Sequence, residues 1–67
     1  MDIKNITSIA IYYFKNNLRT RCTYKKISHY KETEEGYLFY AYFKCKDRVN
    51  VKCVLITKEG KILGPSS

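Results

Sequence analysis

The chain has no tryptophan and no glutamine, and it has only one histidine, one proline and three glycines. Gly36, Gly60 and Gly64 stand apart, so no glycine-rich phosphate-binding loop can be assembled from them. The single histidine, His29, has Ser28 and Tyr30 as neighbours. In an extended strand those neighbours point away from it, and no Ser/His/Asp or Cys/His catalytic arrangement results. Of the six acidic residues three cluster, at Glu32, Glu34 and Glu35, and a calcium loop would need more oxygen ligands at a set spacing. Cysteine is limited to Cys22, Cys45 and Cys53. An odd count allows one intrachain pair at most, and the absence of any C-x₂₋₄-C spacing argues against a zinc site with His29. No cofactor-binding pattern is present. No run approaches the roughly 18 apolar residues of a membrane span. The opening stretch MDIKNITSIAIYYFKNN lacks the layout of a signal peptide. These absences point to a non-catalytic, cytoplasmic chain without a membrane partner.

Lysine and arginine, by contrast, are abundant. Thirteen basic residues against six acidic ones give a net charge of +7 on 67 residues. Such a balance favours an acidic partner, either an acidic protein or nucleic acid. Ile, Lys, Asn and Tyr are over-used, as in AT-rich genomes. A low-GC bacterium, a phage or an archaeal virus fits that bias, and a viral chain would work in the host cytoplasm. The length allows one domain, which buries only about 60% of its unfolded surface.

Residues 3–18 read as a helix. Ile3, Ile6, Ile9, Ala10, Tyr13, Phe14 and Leu18 recur at three- and four-residue spacing. Asp2 is placed to cap it, with Asn5 or Thr7 as alternatives, and Asn16 and Asn17 to end it. On its polar side Ile11 and Tyr12 would be exposed. Residues 21–30 (RCTYKKISHY) read as a first strand whose alternation is restored by a bulge near Lys25 and Lys26. A polar loop, KETEEG, leads to a second strand over 36–46, GYLFYAYFKCK. A tight turn at 46–49 precedes a third strand over 48–58. KEGK forms a hairpin turn in which Gly60 takes positive φ, and 61–64 form a short fourth strand. The expected architecture is α+β: one N-terminal helix packed on an antiparallel meander of three or four strands.

Five of the eleven residues in 36–46 are aromatic, and they occupy both faces of the strand. We expect the odd positions of strands two and three to meet the helix, with Cys45 and Cys53 pointing that way and lying nearly opposite each other. The other face would then carry Leu38, Tyr40, Tyr42, Val54 and Ile56 among Lys44 and Lys52. An uncovered apolar patch of that kind marks an interaction surface. A second copy could stack on it, giving a two-fold homodimer. Single-stranded nucleic acid could instead stack bases on the tyrosines. The aliphatic side chains favour protein. A third possibility is that strand one or the tail folds over this face. The basic residues form two groups, Arg19, Arg21, Lys25 and Lys26 after the helix, and Lys44, Lys46, Arg48 and Lys52 around the turn at 47. Pairing of strands one and two would merge them into one basic surface.

The helix-then-meander order, with Tyr24 and Ile27 just after the helix and DRVNVKCVLITKEGKIL closing the chain, resembles small cystatin-like α+β domains. The resemblance implies a helix gripped by a curved antiparallel sheet. Cystatins inhibit cysteine proteases through a glutamine-containing hairpin, and this chain has no glutamine, so that activity does not carry over. The functional expectation is a small basic binding protein, an adaptor or inhibitor that occludes an acidic protein and self-associates. Nucleic-acid binding through the Tyr/Lys face is the alternative.

Overall fold

The computed structural model describes residues 2–16 and 21–65. Helix α1 (Ile3–Asn16) is followed by strands β1 (Thr23–Glu32), β2 (Gly36–Lys44), β3 (Val49–Thr57) and β4 (Ile62–Pro65). The strands form one antiparallel sheet in the order β1-β2-β3-β4. The fold is thus the α+β meander expected, with strand limits within about two residues of those read from the sequence. Asn17, Leu18 and Arg19 lie outside the described residues.

Asp2 caps α1. Its carboxylate accepts a hydrogen bond from the Lys4 N–H at 2.9 Å, and its carbonyl accepts from Asn5 and Ile6 at 3.1 and 3.2 Å. Ile6, Ala10 and Phe14 recur every four residues, so they form one stripe, and all three are buried. That stripe meets Phe39, Ala41 and Phe43 of β2 and Val54 and Ile56 of β3. Phe14 sits edge-on to Phe43 with centroids 5.7 Å apart and lies parallel to Tyr24 at 6.3 Å. The outer side of α1 is polar apart from Ile11 and Tyr12, and Tyr12 is exposed as its position predicts.

Tyr24 is only half-buried, yet burial pushes its phenol pKa above 10.0, against a smaller opposing effect from a backbone hydrogen bond at Ile27. Above that pH the unfolded chain releases a proton that the folded chain keeps. Tyr24 therefore contributes stability that is present below pH 10 and lost as pH rises. The melting temperature should fall above pH 10 more steeply for the wild type than for Tyr24→Phe, and thermal scans across that range would check it.

Three turns shape the sheet. At the β1–β2 turn the Thr33 N–H donates to the Gly36 carbonyl at 2.7 Å, and the Gly36 N–H donates to the Thr33 hydroxyl at 3.1 Å. A Cβ on Gly36 would run into the Ile56 carbonyl, which explains the glycine there. At the β2–β3 turn the Cys45 N–H donates to the Arg48 carbonyl at 2.8 Å. Gly60 takes φ of 91° in the β3–β4 turn, as expected. The bulge predicted near Lys25 is present between Tyr24 and Lys26, and a second lies between Ile27 and His29.

The register corrects the face assignment of β3. Phe39 pairs with Val54, Tyr37 with Ile56 and Ala41 with Lys52. Residues of opposite parity therefore share a face, because the connection 45–48 has an even number of residues. Val54 and Ile56, expected on the open face, are completely buried against α1. Lys52 turns to the helix side with them. Cys53 points to the open face and pairs with Tyr40. Cys45 does not face Cys53 across the sheet. It is bonded to Cys22, with the two Cα atoms 4.2 Å apart.

Candidate binding face

The face of the sheet away from α1 is built from cross-strand rungs. Thr23, Lys44 and Val49 form the first, Lys26, Tyr42 and Val51 the second, His29, Tyr40 and Cys53 the third, and Lys31, Leu38 and Leu55 the fourth. Each rung places a β1 residue beside an aromatic, aliphatic or lysine side chain of β2 and an apolar or thiol side chain of β3. Leu38, Tyr40, Tyr42, Cys53 and Leu55 are half-buried, while Val49 and Val51 are 59% and 55% exposed. The rings are held in place. His29 stacks on Tyr40 with centroids 4.5 Å apart, and the Lys26 ammonium lies 6.0 Å from the centre of the Tyr42 ring. Among the described residues no element covers this face.

The expected site is thus partly assembled. Leu38, Tyr40, Tyr42 and Lys44 lie on the open face as anticipated, and Val54, Ile56 and Lys52 do not. Their places are taken by Val51, Cys53 and Leu55. Lys26, expected in the basic patch, joins this face instead, and Lys25 occupies the bulge, exposed. His29 and Lys31 were overlooked as face residues, because the two bulges in β1 shift its register twice. The second bulge also lets the Ser28 hydroxyl meet His29 Nδ1 at 2.9 Å, a contact that regular strand alternation would forbid.

The charge on this face has one sign. Lys26, Lys31 and Lys44 rim the apolar rungs, and no carboxylate occupies an outward position on β1, β2 or β3. Glu32 points to the other side, where its carboxylate pairs with Lys58 at 3.0 Å. That hydrogen bond and charge raise the Lys58 pKa.

A second basic feature lies at the end of the sheet. Arg21, Lys46 and Arg48 line an open groove beside the Cys22–Cys45 bridge, together with Asp47. The bridge joins the residue before β1 to the residue after β2, and so brings Arg21 of the first basic group beside Lys46 and Arg48 of the second, while Lys25, Lys26, Lys44 and Lys52 lie elsewhere on the sheet and Arg19 is outside the described residues. No protein-family model matches the chain, and no curated protein or solved structure matches it either.

Proposed function

We propose that this chain is a small non-catalytic binding protein, an adaptor or inhibitor, that docks an acidic protein on the open sheet face. One observation carries the reading: a row of apolar rungs that no element of the described residues covers, with Lys26, Lys31 and Lys44 as its charged rim. The apolar centre offers a dry contact of the kind that marks protein interaction sites, and tyrosine supplies area at low entropic cost. The lysine rim selects an acidic partner and speeds its approach. The same composition favours protein over bases, because Leu38, Val51 and Leu55 interrupt the rings that a stacking platform needs.

The test is capture from nuclease-treated extract with wild-type protein and with Tyr40→Ala/Tyr42→Ala. A specific partner should be acidic, and its affinity should fall about tenfold or more in the double variant, as for central tyrosines of interfaces. Equal capture by both proteins would overturn the reading.

Nucleic acid is the second reading, and the basic groove favours it. Arg21, Lys46 and Arg48 form no salt bridge among the described residues, so their charge is available to phosphates. Tight binding of labelled single-stranded DNA or RNA that weakens steeply with salt would put this reading first.

A further inference from the structure

We propose that the groove beside the Cys22–Cys45 bridge is a site of its own for the phosphodiester backbone of nucleic acid, held by charge and without base contacts. The proposal rests on the second reading above and narrows it. Nucleic acid would then occupy the end of the sheet and leave the open face to an acidic protein.

The groove has a volume of about 660 Å³, and Arg21, Lys46 and Arg48 supply its positive charge. All three residues are exposed. Among the described residues none of the three side chains is hydrogen-bonded or ion-paired, and Asp47 in the same lining is bridged to none of them. Three cations against one carboxylate leave an excess of positive charge with no partner in the fold. Two of the three are guanidinium groups, whose planar forks match a phosphate bidentately.

The frame that carries these side chains is fixed. The bridge ties Cys22 to Cys45, the Cys45 N–H donates to the Arg48 carbonyl at 2.8 Å, and Asn50 Nδ2 donates to Cys45 Sγ at 3.0 Å. A ligand therefore has side chains to order and no loop to fold, which lowers the entropic cost of binding.

The lining decides the mode of recognition. It holds no aromatic ring and no large aliphatic side chain. Bases find nothing to stack on, and a protein finds no apolar anchor. What remains is charge, and contacts to a phosphate backbone need only that. The open face has the opposite make-up. Its ring Tyr40 lies four residues back along β2 from Lys44, about 13 Å at the rise of a strand.

The fold also sorts charge between its two ends. In the meander the β1–β2 and β3–β4 turns share one end, and the β2–β3 turn takes the other. The 9 residues of β2 separate them by about 30 Å. Glu32, Glu34, Glu35 and Glu59 stand at the first end, where Lys31, Lys58 and Lys61 nearly cancel them. The groove end keeps its excess. That distribution turns the groove toward an approaching polyanion.

Fluorescence anisotropy with a labelled oligothymidylate at several salt concentrations tests the proposal. Each lost phosphate contact should flatten the plot of log K against log salt by about 0.7 and weaken binding about fivefold at about 0.1 M salt. Arg21→Gln, Lys46→Gln and Arg48→Gln should each do so, and the triple variant should lose about a hundredfold. Asp47→Asn should tighten binding about twofold or more, a gain that a folding defect would not give. Lys4→Gln/Lys26→Gln/Lys31→Gln removes the same charge outside the groove and should cost less than about threefold, because salt screens distant charges. Tyr40→Ala/Tyr42→Ala should leave the affinity unchanged. Inorganic polyphosphate, which has phosphates and no bases, should displace the oligonucleotide. Equal losses in the two triple variants, a loss in the tyrosine variant, or no displacement by polyphosphate would overturn the proposal and leave nucleic acid binding elsewhere on the chain. No binding at low salt would overturn the second reading with it and leave the acidic-protein reading standing.

Discussion

Phe39→Ala should remove a large part of this protein's stability. Phe39 is fully buried and touches Tyr30 and Tyr37 with ring centroids 5.6 and 6.4 Å away. It stands in the core beside Ile6, Ala10 and Phe14, across the ladder from Val54. Truncating a buried phenylalanine to alanine costs about 3–5 kcal/mol, the lost transfer energy plus the cavity left behind. A domain of this length has a total stability of only about 3–10 kcal/mol. The cavity has little chance of collapsing, because the facing residues belong to three different elements. The melting temperature should drop by at least about 15 °C, or no cooperative transition should remain. Tyr12→Ala is the matched control. Tyr12 is 57% exposed on the outer side of α1, and its loss should change stability by no more than about 0.5 kcal/mol. Comparable losses in the two variants would contradict the packing of α1 on β2.

Reduction of the Cys22–Cys45 bridge should have the next largest effect. The bonded residues are 23 apart in sequence. Closing a loop of that length restricts the unfolded chain and stabilises the fold by about 3 kcal/mol in the chain-entropy view. The bridge also fixes the end of the β1–β2 ladder and receives a hydrogen bond from Asn50 Nδ2 to Cys45 Sγ at 3.0 Å. Denaturant midpoints should fall together in wild type with reductant and in Cys22→Ser/Cys45→Ser. The double variant should be insensitive to reductant. A wild-type midpoint unchanged by reductant would show that the bond contributes nothing. The expected loss is a large part of the domain's margin. A reducing cytosol, where thiols are kept open, would therefore hold a much weaker protein than an oxidising compartment.

Several features of the site were legible before the structure. The tyrosines of β2 were, because an aromatic strand with both faces apolar cannot be covered twice by one helix. The two basic groups were expected to merge, and only Arg21 of the first meets Lys46 and Arg48 of the second. The composition of β3 misled. Its odd positions, Val49, Val51, Cys53, Leu55 and Thr57, contain no charge, whereas the even ones include the charged Lys52 and the polar Asn50. Hydrophobic alternation therefore assigned the wrong side to the helix. The turn decided otherwise. A one-residue change in pairing reverses every side chain of a strand, so the length of the 45–48 connection outweighs the pattern. The disulfide was hidden for a related reason. Cys22 and Cys45 are adjacent across the β1–β2 ladder only after two bulges have shifted the register.

The sequence by itself determined the elements and their order, since periodicity, the Asp2 cap and the Gly60 turn are local properties that act over a few residues. It also determined the excess of positive charge. Only the tertiary structure decided which side of β3 is buried and which cysteines bond. Both depend on pairing register, and register is set by the sum of turn lengths and bulges along the chain, a quantity to which each segment contributes and which none reveals alone.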